Sequence, residues 1–197
     1  MTTISKVEQM SLDEYVRLYE QEGAFEIIDG EHRPLLPQVA LHGLIAQALF
    51  IQLDTHCRQN QLGEVFNNML VVQMVDDKIA NSYRPDVLFI KRHRWQEYKV
   101  SFPNWLDLPF IIVPDFVIEV VSPNDLYTEL QQKVEVYQHD GVRLIWIVDP
   151  MRKKVVVYSG EQFFSLGAED TLSGGDVLPD LQINLKDLFG AIDSEGK

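Results

Sequence analysis

The chain has 197 residues, is 46% hydrophobic and 24% charged, and carries 17 Lys+Arg against 30 Asp+Glu, a composition that suits a folded globular chain and excludes a disordered or collagen-like one. Its formal charge of −13 argues against a non-specific nucleic-acid coat protein, because such binding rests on Lys and Arg neutralising phosphates. A single cysteine, Cys57, excludes a disulfide framework and the usual structural zinc clusters.

The acidity sits at the ends. Residues 1–32 and 160–197 each hold 8 acids and 2 bases, whereas residues 33–159 hold 14 acids and 13 bases, a balance of −1. The N-terminal MTTISKVEQM has no apolar run behind its lysine and does not read as a secretory signal. No stretch reaches the roughly 18 apolar residues of a membrane span. The expected location is the cytoplasm.

In chain order, residues 11–22 read as a helix, with Ser11 as cap and Glu14 three residues on as a capping box requires. Gly23 stops it, and Phe25–Ile28 follows as a short strand closed by an Asp29-Gly30 turn. A long helical pattern runs from Pro37 to about Gln59, with Val39, Leu41, Leu44, Ile45, Ala48, Leu49 and Leu53 at helical spacing. It is apolar around much of its circumference, which predicts substantial burial.

Val65–Val75 and Tyr83–Ile90 read as β-rich runs separated by the Asp76-Asp77-Lys78 turn. Residues 91–113 read as irregular. Phe116–Val121 is a nearly continuous apolar strand of the kind buried on both faces. Asn124 or Asp125 can cap a helix that ends at Asp140, before Gly141. Leu144–Val148 and Val155–Tyr158 are further strands, followed by a β-like segment at 179–183 and a short helix at 185–190. A meander followed by a strand–helix–strand crossover predicts an α/β (α+β-like) fold, a central mixed sheet flanked by helices. Without a linker or repeat, 1–197 reads as one domain.

Three residues stand out chemically. Glu119 lies inside an apolar strand, where an unpaired carboxylate is costly to bury; it faces a sheet edge, pairs with an arginine, or serves a site. Asp86 opens a strand behind Pro85, which is also what a turn cap does. Asp115 repeats the Pro-Asp pattern, but on an extended strand it is roughly 13 Å from Glu119, too far for one shared metal. Lys133 falls on the same helical side as Leu130, Val134 and Tyr137, so it either snorkels along the flank or points at the sheet. Two carboxylates and a lysine meeting at one sheet suit metal-assisted phosphodiester hydrolysis, with Mg²⁺ or Mn²⁺ as hard cations for oxygen ligands.

Phe25–Glu31, His42, Arg84-Pro85-Asp86-Val87, Pro114–Pro123, Lys133, Tyr137, Gly141-Val142 and Trp146–Pro150 together resemble the Uma family of "putative restriction endonucleases", within the PD-(D/E)XK nuclease superfamily. The likeness covers about residues 11–190. It implies a restriction-endonuclease-like core and an Mg²⁺-dependent DNA endonuclease, with Asp86 and Glu119 as metal ligands and Lys133 as the catalytic lysine. The superfamily lysine lies two residues after the acid, where this chain has Val121; the family pattern places it on the next helix instead. Glu26 and His42 join the site residues as an additional acid and a neighbour of the same cleft, each with a plain structural alternative. Tyr137 reads as packing or as an anchor for Lys133.

Lys91, Arg92 and Arg94 combine charge with nearby Trp95 and read as phosphate contacts. Residues 102–110 read as an apolar arm of a homodimer. The expected partner is DNA, bound weakly and in a salt-dependent manner, with no membrane. Two rival readings remain at this point: a nuclease-fold binding or regulatory protein without useful turnover, and a small-molecule phosphoesterase with a closed pocket.

Overall fold

The computed structural model describes residues 10–123 and 125–195, with side chains to Gly190. The N-terminal residues read above as lacking a signal, and Asn124 as a helix cap, lie outside the described residues. Helix α1 (Leu12–Glu22) carries the full capping box between Ser11 and Glu14 and ends at Gly23, whose φ is +87°. Strands β1 (Phe25–Ile28) and β2 (Glu31–Pro34) form a hairpin. Its turn residues Asp29 and Gly30 have φ of +51° and +73°, the positive pair a tight hairpin of this hand demands.

Helix α2 (Ala40–Asn60) begins three residues later than the periodicity predicts, and its burial is one-sided. His42, Ile45, Ala46, Leu49, Leu53 and Cys57 form the buried stripe, while Leu44 and Ile51 are exposed. Strands β3 (Gly63–Asn67), β4 (Val71–Val75), β5 (Lys78–Tyr83) and β6 (Val87–Lys91) follow. The β-rich run over Tyr83–Ile90 thus holds the end of β5 and the whole of β6 up to Ile90, divided at Arg84-Pro85-Asp86, where Pro85 lacks the N–H that a continuous ladder needs. β5 joins one sheet and β6 another.

Residues 92–101 form helix α3 (Arg92–Ser101), not an irregular segment. Trp95 and Tyr98 are its buried face, and Phe102, Trp105 and Phe110 pack on them within the same chain. That packing engages part of the apolar surface of residues 102–110 within the chain, with Phe110 buried and Leu106 exposed. Strand β7 (Phe116–Val120) is buried along its whole length. Helix α4 (Tyr127–Asp140) starts behind Leu126 without a side-chain cap. The Asp125 carboxylate instead accepts from the Ser122 amide at 2.7 Å, closing a local turn. Gly141, at φ +99°, ends the helix in the left-handed region that favours glycine.

Strands β8 (Leu144–Asp149), β9 (Lys154–Ser159), β10 (Gln162–Leu166), β11 (Thr171–Ser173) and β12 (Gln182–Asn184) lead to helix α5 (Leu185–Glu195). The main sheet is mixed, in the order β10-β9-β8-β7-β6-β3, with the parallel β7–β8 pair joined through α4. A second sheet runs β2-β1-β5-β4. Alternation along β7 divides the core: Phe116, Ile118 and Val120 pack toward α2 and α5, and Val117 packs toward α3 and α4. Glu119 shares the side of Val117 by the period of two, so it faces α4. Helix α1 covers the second sheet through Tyr15, Phe25, Ile27, Val72 and Ile79.

Candidate active site

The site forms where the chain passes from the second sheet into the first. β6 and β7 are antiparallel with Val87 opposite Ile118, which sets Asp86 beside Glu119. The Asp86 amide donates to the Ile118 carbonyl at 3.1 Å, and the Val120 amide donates to Asp86 Oδ2 at 2.8 Å. β1 is tied to β5 through Ile27 and Ser82, whose Oγ accepts from the Ile27 amide. This brings Glu26 to the same place, where Glu26 Oε1 accepts from the Arg84 amide at 2.7 Å.

Lys133, one turn before Tyr137 on α4, turns inward. Its Nζ lies 2.8 Å from Glu26 Oε1 and 3.0 Å from Glu119 Oε1. The Tyr137 hydroxyl donates to the same Glu119 oxygen, so the tyrosine anchors Glu119 directly. His42, from the buried stripe of α2, places Nε2 3.0 Å from Asp86 Oδ2. Asp86, Glu119, Lys133, Glu26 and His42 thus line one cavity of about 190 Å³, together with Arg33, Gln38, Arg84 and Ser122.

Each of the three carboxylates has one oxygen held by two protein groups. Asp86 Oδ2 takes Val120 and His42; Glu119 Oε1 takes Lys133 and Tyr137; Glu26 Oε1 takes Arg84 and Lys133. Glu119 Oε2 and Glu26 Oε2 have no protein partner among the described residues. Asp86 Oδ1 is held only by the Gln38 side chain, at 2.9 Å, from the exposed segment after β2.

The charge is under-compensated. Glu119 is raised overall to about 8: burial is the largest cause, Lys133 pulls against it, the Asp86 and Glu26 charges add to it, and Tyr137 opposes them. Burial opposes the charge on Lys133, but Glu119 and Glu26 outweigh it and hold the ammonium well above its ordinary value. Burial likewise opposes protonation of His42, and the hydrogen bond and charge of Asp86, with Glu119 and Asp125 behind it, raise it overall.

No three His, Cys, Asp or Glu side chains form a ready metal cluster among the described residues. A hard cation of the Mg²⁺ type needs only one or two carboxylates, completing its shell with water and phosphate oxygens. The donor set here, carboxylate oxygens left free on buried and under-compensated acids, fits such an ion.

Lys91, Arg92 and Arg94 are not brought to this cavity. They lie at the far end of β6, about 16 Å along the strand. There the Lys91 amide donates to Asp115 Oδ2 at 2.9 Å, Arg94 pairs with the same oxygen at 2.9 Å, and Arg92 donates to Gln61 at 2.7 Å. Asp115 is buried at that far end as a structural anchor. Gln38 and Arg84, which also line the cavity, carried no role in the sequence reading. Gln38 has no sequence signal at all, whereas Arg84 stands two positions before Asp86 in the segment that joins β5 to β6.

A mixed sheet flanked by helices, with acids from adjacent strands meeting a helical lysine at the sheet's end, defines a restriction-endonuclease-like core. The chain belongs to the Uma2 family, described as "Putative restriction endonuclease", whose model it matches over residues 12–186. It is similar in fold to a crystal structure described as a "putative nuclease belonging to DUF820" from Anabaena variabilis, with a TM-score of 0.73 and 23% identity, covering 92% of this chain and 98% of the other. No curated protein matches the chain. Family and fold make it nuclease-like, and no described helix is long and apolar enough to cross a membrane.

Proposed function

We propose that the chain is a DNA endonuclease, dependent on Mg²⁺ or Mn²⁺, that hydrolyses phosphodiester bonds within a single domain. The observation that carries this reading is the cavity in which Glu119 and Glu26 share Lys133 and keep one oxygen each without a protein partner, beside Asp86, whose outer oxygen is held by Gln38 alone among the described residues. Asp86 and Glu119 would hold the cation through those oxygens. When bound, it supplies Lewis acidity that lowers the pKa of a water and offsets charge on the scissile phosphate.

The protein groups have separate tasks. The Lys133 ammonium is fixed by two carboxylates, so it can orient the attacking water and stabilise negative charge developing on the phosphoryl oxygens. Glu26 holds that ammonium in place. Tyr137 fixes the rotamer of Glu119, and His42 fixes that of Asp86, leaving the outer oxygens toward the cavity. Lys91, Arg92 and Arg94 have no part in this chemistry, given their place at the far end of β6.

The test is supercoiled plasmid incubated with Mg²⁺ or Mn²⁺. Wild-type protein nicks it, and Asp86→Ala and Glu119→Ala leave it intact. A wild-type protein that neither cuts DNA nor binds a divalent ion sinks the proposal and leaves the nuclease fold as a binding module.

A further inference from the structure

Arg84 differs from the other cations of the cavity in what its charge does. Lys133 is taken by Glu26 and Glu119, Arg33 by Glu31 at 2.8 Å, and His42 by Asp86. The guanidinium of Arg84 has no carboxylate within ion-pair distance among the described residues. Among the described residues its only hydrogen bond is from Nε to the Asn68 carbonyl, at 2.7 Å. Its backbone is pinned as well, since the Arg84 amide donates to Glu26 Oε1 and Pro85 follows it.

The consequence is a stem held at both ends with its terminal nitrogens free. Nε is oriented by a neutral carbonyl, the two terminal nitrogens form a planar fork without a protein partner among the described residues, and the side chain lines the cavity that also holds Glu26, Asp86 and Glu119. A fold has little reason to leave a half-buried cation unpaired in a cavity it shares with buried acids that lack compensation. It has a reason if the fork is kept for an anion that arrives from outside. A phosphodiester presents two non-bridging oxygens at the spacing a guanidinium fork matches, and such charge-assisted pairs are bidentate and directional. Arg84 lines the same cavity as Asp86, Glu119 and Glu26, so an anion held there shares that cavity with the carboxylate cluster.

We infer that Arg84 forms a phosphate subsite: its guanidinium takes a backbone phosphate of the nucleic acid adjacent to the one being cleaved. This rests on the nuclease reading and adds a binding residue to it. Arg84 holds substrate and moves no proton. Its fork also supplies cationic charge at a cavity otherwise dominated by acids, which matters in a chain of net charge −13.

The experiment is fluorescence anisotropy of a short labelled DNA duplex with the full chain in Ca²⁺, a hard cation with the same oxygen preference, across a salt series. Wild type, Arg84→Gln and Arg84→Lys are compared, with urea midpoints recorded to follow folding. Arg84→Gln is expected to weaken binding about tenfold and to reduce the slope of log affinity against log salt by about 1. Arg84→Lys is expected to keep the slope and recover only part of the affinity, because an ammonium is a point charge without the fork. An unchanged affinity and slope in Arg84→Gln overturns the inference while the nuclease reading stands. A weaker affinity with an unchanged slope assigns Arg84 a structural role and overturns it too. Wild-type protein that binds no duplex overturns both.

Discussion

Lys133 is, among the described residues, the single cation touching two buried carboxylates, which makes it a stability residue as well as a site residue. Removing one partner of a buried pair leaves an uncompensated charge and costs about 3–5 kcal/mol. The cost here belongs at the low end, because Glu119 can take a proton in place of its partner. Lys133→Met is therefore expected to lower the unfolding free energy by about 3 kcal/mol, read from urea denaturation of the metal-free protein. Adding Glu119→Gln to the same chain recovers part of that loss; no recovery in the double variant means the pair is not coupled as drawn. The same residues set a pH dependence. Glu119 is pushed up to about 8 from 4.5, and His42 is also raised, so in this window the folded chain holds protons that the unfolded chain has released. Stability of the metal-free protein therefore falls as pH rises from about 5 to about 8. Urea midpoints across that range check it, and Glu119→Gln flattens the slope.

Among the elements, β3 depends on one glycine. A Cβ at Gly63 sits 2.1 Å from the Ile90 carbonyl oxygen and 2.9 Å from the Arg92 amide nitrogen, both backbone atoms of the strand and helix it pairs with. Neither can move without opening the β3–β6 ladder, so Gly63→Ala is expected to cost about 3 kcal/mol or more, seen as a lowered urea midpoint. Which elements were legible follows from where their information lies. The capping box of α1, the Asp29-Gly30 turn and the apolar β7 are local signals, and each element is where the sequence puts it. Helix α3 was hidden because its charged residues mask a stripe of only Trp95 and Tyr98. The break at Pro85 could be read locally, but the assignment of β5 and β6 to different sheets depends on long-range pairing. Within the site, Glu119 and Lys133 announce themselves as charges on apolar faces. Gln38 does not, because its bond to Asp86 is made from an exposed segment with no periodicity of its own.

On the scale of the whole molecule, the charge of −13 and the placement of the cations act together on any nucleic-acid partner. The acids of α1 and of the segment after β9 repel a polyanion, while Lys91 and Arg94 lie at the far end of β6 with Arg94 already paired to Asp115. A duplex engaging the cavity therefore meets Arg84, Arg33 and Lys133, of which only Arg84 has no acidic partner. If about two phosphates are neutralised, log affinity falls with log salt at a slope near −2, and raising salt from about 50 to about 200 mM weakens binding by about an order of magnitude. A contact spread over both ends of β6 would neutralise more phosphates and give a steeper slope. Substituting Lys91→Gln and Arg92→Gln separates the two arrangements, since neither side chain supports a buried acid. Affinity and slope are expected to stay at their wild-type values. A drop in affinity, with a slope shallower by about 2, places the nucleic acid along the far end of the sheet instead.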